Sequence, residues 1–155
     1  MDIAACGGEW MEYKKAKAYL DGIRSARLNI AKLEASIARV RFDLEHPLSA
    51  VNYDRDKVQS SPSKDALEKQ VIRYMELLGK HEVLYVERKT ALEKKLYEAE
   101  LKIMKLPDGK PRDFLLRHYI DGVSEIDYAV EAGYETTSSV YKLRIRAIKL
   151  FAAWV

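Results

Sequence analysis

The residues best suited to chemistry cluster near the end of the chain, where Lys142, Arg144, Arg146 and Lys149 follow Thr136, Thr137, Ser138 and Tyr141. Cations and hydroxyls without a nucleophile, base or metal partner do not break bonds. They neutralise anions and donate hydrogen bonds, which is the chemistry of contact with phosphates and base edges. The charge is also sorted: Asp121 to Glu135 holds five acids and no base, and Thr136 to Val155 holds four bases and no acid. A helix-dipole preference or chance sorting in a short window yields the same pattern, so charge alone leaves the reading open.

Other reactive side chains lack the spacing that chemistry needs. His46, His81 and His118 are far apart, and none has a Cys, His or carboxylate at metal-ligand spacing; His118 reads as a helix-surface or packing residue. Asp54 and Asp56 alternate with Arg55 and Lys57 and lack the glycine of a calcium loop. Gly7-Gly8 belongs to no phosphate-cradling motif and falls in an expected frayed terminus. Neither an enzyme, a metal site nor a cofactor is expected. The single cysteine, Cys6, excludes an intrachain disulfide, no apolar run reaches membrane-spanning length, and the first residues lack a secretory pattern, so a cytoplasmic protein that spans no membrane is expected. The net charge of +3 is too small to identify a nucleic-acid binder by itself.

The elements that must position the cationic cluster are helices. Val140, Leu143, Ala147, Leu150, Phe151 and Trp154 recur at helical spacing over about Thr137–Ala153, opposite Ser138, Tyr141, Lys142, Ile145, Arg146 and Lys149. Before them, Ser124-Glu125-Ile126-Asp127 has the form of a capping box opening a helix to Ala132. Gly133 can take the left-handed conformation of a sharp turn, and a further helix is predicted at about Arg112–Tyr119. Three short helices in so few residues match a trihelical DNA-binding module. An ordinary amphipathic helix with a solvated basic face has the same local pattern.

Upstream, Ala16, Tyr19, Ile23, Ala26, Ile30, Leu33, Ile37, Val40 and Leu44 step by threes and fours, predicting one long helix over 10–45. His46-Pro47 ends it, and Ser61-Pro62-Ser63 starts a second helix over 64–104, with Val71, Leu78, Tyr85, Leu92 and Ala99 at sevens, widened by Leu77, Leu84 and Ala91. Tyr19, Tyr74 and Tyr85 fall at packing positions of these helices. The expected fold class is all-α: an antiparallel two-helix coiled-coil hairpin over 1–106, with loop 46–63, followed by a three-helix helix-turn-helix module over 107–155. A lone hairpin buries little, so self-association through it, or packing on another partner, is expected.

Leu115-Leu116-Arg117-His118-Tyr119-Ile120-Asp121-Gly122-Val123-Ser124, with Ala129, Gly133-Tyr134 and Val140-Tyr141-Lys142-Leu143, then Arg146-Ala147-Ile148, resembles region four of sigma-70-type factors. The stretch is especially similar to sigma-like regulators of phages and prophages in Gram-positive bacteria, of the autolysin-regulator and late-gene-activator type. Asp56-Lys57-Val58-Gln59-Ser60-Ser61-Pro62 resembles a segment such proteins carry between two long helices. The resemblance departs at the turn Gly133 to Thr136, one residue longer than the common pattern, and at Tyr128, where a smaller aliphatic residue is usual. It implies a transcriptional regulator that contacts double-stranded promoter DNA through Thr136, Thr137, Ser138, Tyr141, Lys142, Arg144, Arg146 and Lys149 without opening it. RNA polymerase is a further implied partner and the cytoplasm of a bacterial host the implied setting. Two other classes stay open: a phage packaging protein of the small-terminase type, and a coiled-coil adaptor with no nucleic-acid role.

Overall fold

A computed structural model of the chain describes residues 3–47 and 64–155, with side chains described over 12–47 and 65–155. The protein is helical throughout, with no strand among the described residues. The elements are α1 (Ile3–Glu45), α2 (Lys64–Met104), α3 (Lys110–Leu115), a π-helical stretch Leu116–Ile120, α4 (Glu125–Ala132) and α5 (Thr137–Trp154). Asp54, Asp56, the Val58-to-Pro62 stretch and the Ser61-Pro62-Ser63 start signal lie outside the described residues.

α1 begins at Ile3, before the expected start at Trp10, and takes in Gly7-Gly8. Glycine weakens a helix by about 1 kcal/mol relative to alanine and does not by itself end one, so a glycine pair without proline or a cap is no stop signal. The helix ends where proline dictates: the His46 amide donates to the Phe42 carbonyl at 3.0 Å, and the His46 ring stacks on the Phe42 ring at 4.4 Å.

The helices form two units. In the unit made of residues 30–91, Ile30, Ile37, Val40 and Leu78 are buried. Arg41 binds Glu82 at 2.9 Å and Lys89 binds Glu34 at 3.4 Å, so seven residues backward on α1 correspond to seven forward on α2 and the two run in opposite directions here. Leu77, Leu84 and Ala91 do not widen the buried seam: all three are exposed, the two leucines to 49%. Each sits one residue before a seam position, and one residue turns the helix by about 100°, which carries these side chains off the seam.

In the other unit, residues 1–29 and 92–155, one apolar cluster joins Ala16 and Leu20 of α1, Ile103 of α2 and Leu106 to Phe114, Leu115, Tyr119, Tyr128, Ala129 and the inner face of α5. Phe114 is the hinge of its aromatic part, stacked on His118 with 5.2 Å between centroids and edge-on to Tyr119 and Tyr128. On α5, Val140, Leu143, Ala147 and Phe151 pack inward as their spacing requires, and Ile148 joins them fully buried. Trp154 does not pack inward. It is 54% exposed and lies in the last turn of α5.

Candidate nucleic-acid interface

The cationic face of α5 is held by what precedes it. Ser124 caps α4, its hydroxyl accepting from the Asp127 amide at 3.1 Å, which is one half of the expected capping box. α4 ends on Gly133 at φ 76°, a left-handed conformation that an L side chain rarely adopts. The Tyr134 amide then returns to the Ala129 carbonyl at 2.8 Å, fixing the path into α5.

Ion pairs clamp the same elements. Arg117 forks onto both carboxylate oxygens of Glu131 at 2.8 Å and reaches Asp121 at 3.0 Å; hydrogen bonding to Glu131 holds its pKa above the ordinary arginine value. Arg144 binds Glu125 at 2.6 Å and lies over the Tyr141 ring at 4.9 Å. The Tyr128 hydroxyl donates to Asp113, and its pKa is pushed up to about 12 by burial, with the Asp113 charge second. His118 is buried, and its Nδ1 must donate to the Val123 carbonyl at 2.7 Å because a carbonyl only accepts. Burial holds the His118 pKa below its ordinary value, against the opposing hydrogen bond to Val123.

The residues expected to meet DNA separate into three groups. Lys142, Arg146 and Lys149 are exposed, and none forms an ion pair among the described residues. Thr136, Thr137 and Ser138 are exposed at the start of α5; the Thr136 hydroxyl lies 3.1 Å from those of both Ser138 and Ser139, and no side chain caps the helix start. The unclaimed first-turn amides and the helix dipole favour an anion there. Tyr141 is exposed, whereas Arg144 is half-buried and committed to Glu125, so it aligns α5 against α4 and offers less of its charge outward.

Sequence reasoning missed the surroundings of α5. Lys14 and Lys17 of α1 line an open groove of about 1300 Å³ together with Tyr141, Ile145 and Lys149. Two acids, Glu12 and Asp21, also border it, and Lys17 pairs with Asp21 at 3.5 Å. The adjacency joins residues more than a hundred positions apart, so no local pattern encodes it. The run Lys14-Lys15-Ala16-Lys17 was the one signal available. No helix is long and apolar enough to cross a membrane, and no cluster of potential metal ligands occurs, among the described residues.

No protein-family model matches the chain, and neither a curated protein nor a solved structure matches it. The geometry of the site therefore carries the functional argument.

Proposed function

We propose that the chain is a sequence-specific, double-stranded DNA-binding transcriptional regulator of the sigma-like phage or prophage type, acting in the bacterial cytoplasm. α4 and α5 act as its helix-turn-helix, and α5 enters the major groove. The observation that carries this reading is the two-sidedness of α5: Val140, Ala147, Ile148 and Phe151 lock one side into the core, while Ser138, Lys142, Arg146 and Lys149 stand exposed on the other. In this reading Thr137, Ser138 and Lys142 reach base edges near the helix start, where recognition helices commonly read sequence. Arg146 and Lys149 neutralise phosphates, Thr136 and the unclaimed amides of the first turn receive another phosphate, and Lys14 and Lys17 extend the cationic surface across the adjoining groove. The helical segment formed by α1 and α2 serves oligomerisation or contact with RNA polymerase.

Selection of duplexes from a random pool by the full-length protein tests the reading. Recovery of one motif supports the regulator, and failure to retain any duplex at low salt overturns it. Changing Thr137, Ser138 or Lys142 should shift the selected motif, with about 1–3 kcal/mol at stake for each good base contact.

A further inference from the structure

The unit of residues 30–91 leaves one face of α2 uncovered. Ile72, Met75, Val83 and Val86 are all exposed, Ile72 to 56% and Val83 to 57%. With Gly79 at the centre, they follow one another by steps of 3, 4, 4 and 3 residues. Threes and fours keep side chains on one helical stripe, here about 21 Å long, which is the pattern that accepts another helix. Glu68 and Thr90 lie one step beyond either end, so the stripe is bounded as well as continuous.

The order of the stripe is symmetric about its own centre. Reversing it places Ile72 on Val86 and Met75 on Val83, and returns Gly79 to itself. Of the exposed charges bordering its outer edge, Lys69, Glu76, Lys80 and Glu87 alternate in sign, with Arg73 a further cation set slightly outward of them. Reversed about position 78, one residue from the apolar centre, Lys69 meets Glu87 and Glu76 meets Lys80, so each of these four meets the opposite charge within the reach of its side chain. None of the four forms an ion pair among the described residues. At the inner edge, Glu82 and Lys89 are engaged with Arg41 and Glu34. At Gly79 an added Cβ would find no atom within 4 Å among the described residues, so none of them requires glycine there. A second helix crossing closely at that point does benefit from its small size.

We propose that this face is the interface with a second copy of the chain, in which α2 packs antiparallel on its mate around Gly79. A contact between two identical patches must be complementary to itself. A helix from an unrelated protein would impose no relation between the two ends of the stripe, whereas both the apolar spacing and the charge order here are related by reversal.

Sedimentation of the full-length protein tests this with three variants. Wild type should sediment as a dimer. Gly79→Glu puts two carboxylates together at the crossing and should weaken association at least about a hundredfold, as like charges at an interface do. Helix content by circular dichroism should be retained, because the position is open within the monomer. Lys69→Glu with Lys80→Glu makes all four paired positions acidic, and Glu76→Lys with Glu87→Lys makes all four basic. Each should be monomeric alone, and the two mixed should form a heterodimer. A monomeric wild type overturns the proposal, as does an oligomer of any size that survives Gly79→Glu, or failure of the acidic and basic variants to pair.

Discussion

The two units use the same helical periodicity to different ends. In residues 1–29 and 92–155, helices α3 to α5 approach from several directions and enclose Phe114, Tyr119, Val140 and Ile148 completely. In residues 30–91, parts of two helices bury one seam around Ile30, Ile37 and Leu78, and leave Ile72, Val83, Leu77 and Leu84 outside. A helix has more apolar capacity than one neighbour can cover. The first unit encloses a closed apolar cluster, although Ile126, Val130 and Trp154 among others stay exposed on it. The second leaves an apolar stripe for a partner.

The difference implies a gradient of mutational sensitivity. Ile30→Asp combined with Ile37→Asp should have the largest effect, since each puts a charge into the one buried seam at a cost of several kcal/mol. Loss of helical signal and a collapse of the thermal transition are expected; an unchanged Tm would show that the seam lies elsewhere. Phe114→Ala comes next, at about 3–5 kcal/mol, because it empties the centre of an aromatic cluster that has no slack to fill it. Urea unfolding measures this directly, and a cost below 1 kcal/mol, about the least a core truncation shows, would mean that the C-terminal core is not closed.

Gly133→Ala should cost about 1–2 kcal/mol from backbone conformation alone, since φ is 76° and no neighbouring atom crowds the added carbon. The effect of His118 is smaller and depends on pH. Its folded pKa lies below the ordinary 6.5, so the unfolded chain binds the proton more readily. Burial lowers that pKa most, the hydrogen bond to Val123 opposes that, and the charges of Arg24, Glu125 and Arg144 follow as smaller influences. Stability should therefore be flat above pH 6.5 and fall as pH drops below it, until the folded form also protonates. Unfolding at several pH values should show that slope in the wild type and a weaker one in His118→Gln. At the far end of the scale, Leu77→Ser and Leu84→Ser should change Tm little, as neither side chain is buried.

Much of this division was legible in the residues themselves. His46-Pro47 marks the end of α1, Ser124 and Gly133 bracket α4, and the spacing of Val140, Leu143 and Ala147 marks the inner face of α5, because caps, prolines and periodicity act locally. The sequence was silent where the outcome depended on distant packing. Ile148 is one step off the expected stripe yet fully buried, because α5 is approached from more than one side. Arg144 belongs by type with the outward cations, and only its distance to Glu125 reveals its inward role. Lys14 and Lys17 could be placed beside Lys149 by the tertiary fold alone.

The central claim is that the outward face of α5 meets DNA, and the most direct test is the salt dependence of binding by the double variant Arg146→Ala, Lys149→Ala, with circular dichroism as the folding control. Each lost phosphate contact should reduce the slope of log affinity against log salt by about 0.9, so the pair should flatten it by about 1.8 while leaving Tm close to wild type. A folded double variant that binds with the wild-type affinity and slope would contradict the account.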